Sequence, residues 1–280
     1  IAIIPTSNVL IYIGTTFAER LVFTASLALI PLVVVILRFK EWFIAILVGM
    51  LIIFIPLTLY RVAEWKTFLT LFEADARRNP QSFRTHYNYG TALNNTVSEE
   101  VLRAEDIGNI EKAISEFEKA LELMPTFVDG MLNLGNSYKR LKQYDKAIAV
   151  YDKVIVLDPS YARAYFNKGI IYYQKANYVE ARKNMLLYIE KGKAYLPAAY
   201  YWAGVCSGYL NDFDGAISYL TTSLELDSSK WDAWNFLGMA YGNTQQKQQA
   251  KEAFAKAYQL NPSAEVKANL DRAEKALSEI

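Results

Sequence analysis

The stretch that decides the fold is Met131–Pro159, which reads MLNLGNSYKRLKQYDKAIAVYDKVIVLDP. Within it, Ala147 stands twelve positions after Gly135. The same glycine–alanine arrangement returns three more times, with the later glycines at Gly169, Gly204 and Gly238, so the period is thirty-four or thirty-five positions. Four copies in one register show that the chain is built from an internal repeat, and a period in this range is typical of stacked helix–turn–helix units.

Each repeated position has a packing reason. Small residues such as Gly169 and Ala181 let the two antiparallel helices of a unit approach closely. A large residue stands four positions before each glycine, where it fills the space between units: Met131, Tyr165, Tyr200 and Trp234. Prolines such as Pro159 end several units, because they disfavour helical geometry at the preceding residue. This period and pattern indicate the tetratricopeptide repeat.

An earlier unit fits the pattern with a longer interior. Gly90 and Ala113 are twenty-three positions apart instead of twelve, and the excess falls in Asn95–Gly108, as a lengthened helix or an inserted loop. At the equivalent of the large position stands His86, which we interpret as a packing residue rather than a ligand. The expected order is therefore a linker helix at 62–82, about five repeats at 83–262 and a capping helix at 263–280.

The N-terminal part of the chain, as far as Tyr60, is strongly apolar. Leu21–Leu37 and Phe43–Tyr60 are uncharged runs that would each span about 25–27 Å as helices, close to the thickness of a bilayer core. We therefore predict a transmembrane helical hairpin at 21–61, preceded by a membrane-surface loop at 1–20. A buried helix pair in a soluble protein is the alternative. The predicted fold class is all-α, with two transmembrane helices followed by a tetratricopeptide-repeat solenoid.

Composition excludes several kinds of site. The formal net charge is +1, from 30 basic and 29 acidic residues, which argues against a nucleic-acid partner. The single cysteine, Cys206, rules out an intrachain disulfide, and the single histidine rules out a multi-histidine metal site. The repeats contain no glycine-rich phosphate loop and no nucleophile motif. We expect no catalytic residue, metal or cofactor in this stretch.

The predicted functional surface is the concave side of the array, formed by the first helix of each pair. Exposed rings alternate there with amides and charges, which suits an extended peptide or a glycan. The alternative for rings such as Tyr173 and Tyr201 is that they only pack against neighbours. The predicted groove residues are Arg84, Tyr87, Asn136, Lys139, Arg140, Arg163, Phe166, Tyr173, Tyr201, Tyr209 and Asn235.

A motif near the start resembles a known family. Pro5 and Asn8 precede Gly14-Thr15 and then Ala18-Glu19-Arg20, followed by the two apolar runs and the repeats. This order is similar to that of the transmembrane and tetratricopeptide-repeat O-mannosyltransferases and their bacterial relatives. Those proteins continue with an aromatic-leucine-proline-serine run, of which only Ser26 recurs here.

The resemblance implies the C-terminal part of a C-type glycosyltransferase, which transfers sugar from a polyprenyl phosphate to a protein hydroxyl. It implies that membrane lipid is a partner, with Arg20 and Glu19 as candidates for binding the lipid phosphate; an internal Glu19–Arg20 ion pair is the alternative. It also implies an integral membrane protein whose repeats are extracytoplasmic, whereas a count of basic residues would place them in the cytoplasm. The catalytic carboxylate would lie upstream of Ile1, so we expect this piece alone to be inactive.

Two other interpretations remain open. The chain could be a non-enzymatic, membrane-anchored scaffold that recruits protein partners through its groove. It could instead be the repeat-containing tail of a protein similar to O-antigen ligases or polysaccharide polymerases.

Overall fold

The computed structural model describes residues 42–97, 103–192 and 196–278, and every regular element in these ranges is an α-helix. In chain order the helices are α1 (Trp42–Glu64), α2 (Phe68–Arg78), α3 (Phe83–Asn95), α4 (Ala104–Leu123), α5 (Val128–Arg140), α6 (Tyr144–Leu157), α7 (Ala162–Gln174), α8 (Tyr178–Gly192), α9 (Pro197–Tyr209), α10 (Phe213–Leu226), α11 (Trp231–Asn243), α12 (Lys247–Leu260) and α13 (Ala264–Ser278).

Helix α1 falls on the second of the two predicted membrane spans, Phe43–Tyr60. It has 23 residues and exposes apolar side chains such as Ile52. Among the helices of the described residues, none is both long and apolar enough to pass through a bilayer. The predicted transmembrane hairpin is therefore not supported by the described residues. The other predicted span, Leu21–Leu37, lies outside them.

The repeat array belongs to a compact unit that runs from Phe68 to Ile280, separate from the unit that contains α1. Its helices form five antiparallel pairs, α3–α4, α5–α6, α7–α8, α9–α10 and α11–α12, and α13 packs on the last pair. The described array is thus the predicted helical solenoid. In the first pair α4 has 20 residues, so part of the extra sequence in Asn95–Gly108 lengthens this helix.

The recurring glycines lie where two helices of a pair touch. A Cβ atom added to any of them would come within 2.5–2.8 Å of a side chain on the partner helix. That side chain always stands sixteen positions after the glycine, or twenty-seven in the first pair, and the contacts are Gly90–Phe117, Gly135–Tyr151, Gly169–Met185, Gly204–Leu220 and Gly238–Phe254. The close approach predicted from the small residues is confirmed.

The turn between the two helices of a pair uses a left-handed residue in four of the five repeats. The φ angles are 56–61° at Lys142, Ala176, Asn211 and Gln245. In the second repeat the Lys142 amide donates to the Lys139 carbonyl, and the Gln143 amide donates to the Tyr138 carbonyl. These two bonds form a Schellman motif, which normally favours glycine at the left-handed position. The sequence did not reveal this turn, because none of the four residues is glycine.

The large residue four positions before the glycine also makes a recurring hydrogen bond. The ring nitrogens of His86 and Trp234 and the hydroxyl of Tyr165 each donate to the carbonyl six positions earlier, over 3.0–3.1 Å. That carbonyl lies in the segment before the first helix, so the bond fixes the start of the repeat. His86 is buried, and its other ring nitrogen lies 2.5 Å from Glu116 Oε2 on α4. It occupies the packing position, as predicted.

Candidate functional site

The candidate site is the surface formed by the first helices of the five pairs, called the groove below. Neighbouring first helices contact each other directly, as α5 does with α7. The predicted residues are distributed along all five: Arg84 and Tyr87 on α3, Asn136, Lys139 and Arg140 on α5, Arg163, Phe166 and Tyr173 on α7, Tyr201 and Tyr209 on α9, and Asn235 on α11. The candidate lipid-phosphate residues Glu19 and Arg20 lie outside the described residues.

An amide network joins α5 to α7. Asn136 Oδ1 accepts hydrogen bonds from the Tyr151 hydroxyl at 2.7 Å and from Asn167 Nδ2 at 3.0 Å. Lys139 Nζ lies 3.4 Å from Asn167 Oδ1. Tyr151 is fully buried beneath the groove, so its hydroxyl holds the Asn136 amide in one orientation. The network therefore offers side-chain donors and acceptors in fixed positions.

Arg140 binds to the preceding repeat, although the sequence grouped it with Asn136 and Lys139. Its guanidinium donates to the carbonyls of Asn94 and Val97, each at 2.9 Å. These carbonyls stand at the C-terminal end of α3, where a cation also complements the helix dipole. Arg140 thus joins the first two repeats.

Rings and an amide line the first part of the groove. Tyr87 packs edge-on against Phe127, with ring centres 4.9 Å apart, and its hydroxyl accepts a hydrogen bond from Asn133 Nδ2 at 3.2 Å. Arg84, one helical turn earlier, is exposed. This end of the groove combines a fixed ring with a charged side chain that extends into solvent.

An aromatic cluster joins α7 to α9. Tyr173 lies 4.7 Å from Trp202 between ring centres, and Tyr178 stacks on Tyr209 at 4.4 Å with the planes 7° apart. Burial, with a smaller contribution from the Tyr209 hydroxyl, raises the pKa of Tyr173 to about 12. Tyr201 packs edge-on against Trp202 at 5.0 Å. Tyr173 and Tyr201 therefore pack on neighbouring rings, yet both keep some surface in the groove.

The remaining predicted residues differ in accessibility. Phe166 packs on Tyr188 with ring centres 5.0 Å apart, and Arg163 is exposed. Asn235 is buried, and its Oδ1 accepts a hydrogen bond from Asn269 Nδ2 of α13 at 3.0 Å. The oxygen of Asn235 is thus engaged within the array, so this residue is the least accessible of the predicted set.

Sequence reasoning missed Asn133, Asn167 and Trp202. All three stand two positions before a repeat glycine, and Asn133 and Asn167 are one full repeat apart. The sequence did contain a signal for these residues, because a polar residue that recurs at one register position of the first helices indicates a place on the groove surface. The same position holds Phe236 in the last repeat, which marks a change from amides to rings along the array.

Family models match most of the array. A model described as "TPR repeat" matches residues 135–175. Two models described as "Tetratricopeptide repeat" match residues 104–127, 197–230 and 232–263 in one case, and 116–149 in the other. Together these matches cover residues 104–175, 197–230 and 232–263.

Two curated relatives are distant. The chain is 25% identical over 286 residues to the human protein "Protein O-mannosyl-transferase TMTC3", which covers 92% of this chain and 30% of that protein. It is 27% identical over 150 residues to the mouse protein of the same name, covering 50% of this chain and 15% of the relative. The chain thus spans less than a third of the length of these relatives.

Solved structures share the fold. The tetratricopeptide-repeat protein YrrB has a TM-score of 0.59 at 18% identity, over 72% of this chain and 97% of that one. MamA has a TM-score of 0.52 at 23% identity, over 58% of this chain and 96% of that one. A repeat protein from Cytophaga hutchinsonii has a TM-score of 0.58 at 17% identity, covering 73% and 78%. The chain is a tetratricopeptide-repeat protein, with a distant similarity to the human and mouse O-mannosyltransferases.

Proposed function

We propose that the groove binds an extended peptide segment of a partner protein. The observation that carries this proposal is the amide network across α5 and α7, where Asn136, Asn167 and Lys139 hold polar groups in line across two repeats. An extended peptide has one main-chain donor and one acceptor per residue. A row of positioned amides can pair with both, and neighbouring rings can contact the side chains.

The test is selection of random linear peptides by the full chain, followed by affinity measurements with Asn167→Leu. This substitution removes two groove hydrogen-bonding groups. We expect binding to weaken about tenfold, the equivalent of one net hydrogen bond or slightly more. The control is Lys153→Ala, an exposed change on the second helix α6. Unchanged affinity in Asn167→Leu, with helicity retained, would contradict the proposal.

A second candidate function rests on the similarity over 92% of this chain to the human protein O-mannosyltransferase. In that case the repeats are the C-terminal part of a glycosyltransferase that uses a polyprenyl-phosphate sugar, and the groove presents the acceptor protein on the extracytoplasmic side. Arg20, with Glu19, would contact the lipid phosphate. The similarity favours this over an anchored scaffold or a ligase-like tail.

This candidate makes a simple genetic prediction. The gene should encode, upstream of Ile1, a polytopic region with an acidic residue in its first outer loop. In the longer protein, Asn167→Leu should reduce sugar transfer to protein more than it reduces hydrolysis of the lipid-linked sugar. An open reading frame that starts near Ile1 would count against an enzymatic role and in favour of a scaffold.

A further inference from the structure

Two glycines in the groove have no packing role. Gly208 on α9 and Gly242 on α11 are one full repeat apart, and a Cβ added to either would meet no described atom within 4 Å. Neither has a positive φ angle. Glycine disfavours helix by about 1 kcal/mol relative to alanine, so these positions lack a structural reason for it. The preceding repeats carry larger residues at the same register: Asn94, Lys139 and Tyr173.

Each of these glycines borders a cavity. The first cavity, of about 260 Å³, lies between α9, α10 and α11 and is lined by Gly208, Tyr209, Phe213 and Phe236 among others. The second, of about 400 Å³, lies between α11, α12 and α13 beside Gly242. Met239 and Asn243 line both cavities. The C-terminal end of the groove therefore contains two adjoining cavities, which Met239 and Asn243 separate.

The two cavities differ in charge. No charged residue lines the first cavity among the described residues, and its walls are rings, aliphatic groups and two asparagines. Lys247 and Arg272 line the second, and no acidic side chain of the described array does so. Arg272 is exposed, with Nη1 3.3 Å from Asn269 Oδ1. The first cavity suits a bulky apolar side chain, and charge complementarity favours a carboxylate at the second.

The spacing of the cavities constrains the partner. Packed helices lie about 8–10 Å apart, so α9, α11 and α13 set a similar step from one cavity to the next. A polyproline II segment rises about 3.1 Å per residue with three residues per turn, which places every third side chain on the same face about 9 Å apart. One peptide in this conformation can fill both cavities.

We propose that the C-terminal end of the groove selects partner segments in which a bulky apolar residue and an acidic residue lie three positions apart. This inference rests on the peptide binding proposed above and names the class of peptide. It assigns Gly208 and Gly242 a role as openings for side chains of the partner, and Arg272 a role in attracting the carboxylate.

The test measures binding of fluorescent peptides to the full chain. Each peptide is proline-rich and carries one phenylalanine and one glutamate three positions apart, in either order. Filling the first cavity with Gly208→Leu should weaken binding at least about tenfold, because the leucine side chain occupies the space in which the phenylalanine ring of the peptide would be buried. Arg272→Glu should weaken binding of the glutamate peptide and restore binding when lysine replaces the glutamate. Lys256→Glu on α12, an exposed residue outside both cavities, is the charge-matched control.

The outcomes separate the two proposals. If Gly208→Leu and Arg272→Glu bind the same peptides as the wild type, while Asn167→Leu weakens binding, the selectivity proposed here is wrong and peptide binding stands. A wild-type chain that binds no peptide in the selection overturns both. Exchange of glutamate for lysine preference by Arg272→Glu, without an effect of Lys256→Glu, supports the assignment directly.

Discussion

The two ends of the groove use the same repeat for different purposes. One position after the repeat glycine stands Asn136 in the second repeat and Met239 in the fifth, and four positions after it stand Lys139 and Gly242. Hydrogen bonds connect the side chains of the N-terminal end, whereas cavities open at the C-terminal end. Since the glycine contacts beneath are alike, the packing layer fixes the scaffold and leaves groove positions free to diverge.

The largest expected effect lies where polar character extends into the packing layer. His86 occupies the position that Trp234 fills in the fifth repeat, and it pairs with Glu116, which is also buried. His86→Leu removes one partner of this pair. We expect a loss of about 3 kcal/mol in the free energy of unfolding, at the lower end because Lys119 Nζ stays 2.7 Å from Glu116 Oε1. Urea denaturation of the full chain measures it.

A double variant shows whether the uncompensated carboxylate causes that loss. In His86→Leu with Glu116→Leu no charge is left buried at this position, so much of the stability should return, since apolar replacements of a buried pair are often neutral. A double variant as unstable as the single one would show that shape, rather than charge, decides this position. The difference between His86 in the first repeat and Trp234 in the fifth would then be one of shape and not of charge.

Two glycines on α9 test the distinction between packing and open positions within one helix. A Cβ at Gly204 would lie 2.6 Å from Leu220 Cγ and 3.2 Å from the Leu220 backbone nitrogen. We therefore expect Gly204→Leu to cost about 1–3 kcal/mol through overpacking. Gly208→Leu, one helical turn later, should leave stability unchanged or raise it by up to about 1 kcal/mol through helix propensity. Equal losses in thermal denaturation would refute the distinction.

The next comparison exchanges residues at one groove register. Asn136→Leu leaves the buried Tyr151 hydroxyl without its 2.7 Å acceptor, so we expect a loss of about 1–2 kcal/mol. Met239→Leu at the equivalent position should cost less than about 1 kcal/mol, because it conserves volume and character. Adding Tyr151→Phe to Asn136→Leu should recover stability, as urea denaturation would show. If it does not, the hydroxyl is not what gives the amide its structural value.

The sequence predicts the packing layer better than the groove. The register of Gly135, Gly169, Gly204 and Gly238 specifies the helix pairs, because each position allows only a small residue against a known partner. Groove residues lack such a constraint. Arg140 was grouped with Lys139 by proximity, but its bonds to carbonyls of α3 depend on how two repeats stack. Periodicity cannot report that contact.

The apolar N-terminal residues show a different limit of prediction from sequence. Hydropathy predicted two membrane spans, yet within the described residues no helix meets the length and apolarity that a span requires. The run Phe43–Tyr60 does form a helix, as the sequence predicted. The amides of Asn133 and Asn167 were missed for a different reason, because they lie two positions before a repeat glycine, a register that none of the predicted groove residues occupies.

The smallest effect concerns the turns between paired helices, where the third and fourth repeats carry different residues at one position. Ala176 and Asn211 occupy the same left-handed position, with φ of 56° and 60°. An L-residue pays about 1–2 kcal/mol there, and glycine and asparagine tolerate it best. Ala176→Gly should therefore stabilise the chain by about 0.5–1 kcal/mol, after the greater freedom of glycine in the unfolded state is deducted.

The reciprocal change is Asn211→Ala, which should destabilise by a similar amount because it introduces the strain that Ala176 already carries. Ala176→Gly changes no residue of the two cavities or of the amide network, whereas Asn211 lines the first cavity, so Ala176→Gly is the cleaner measurement. Thermal denaturation that shifts in opposite directions for the two variants supports a common turn geometry. A destabilised Ala176→Gly would mean that the third repeat gains more from the alanine side chain than it loses to backbone strain.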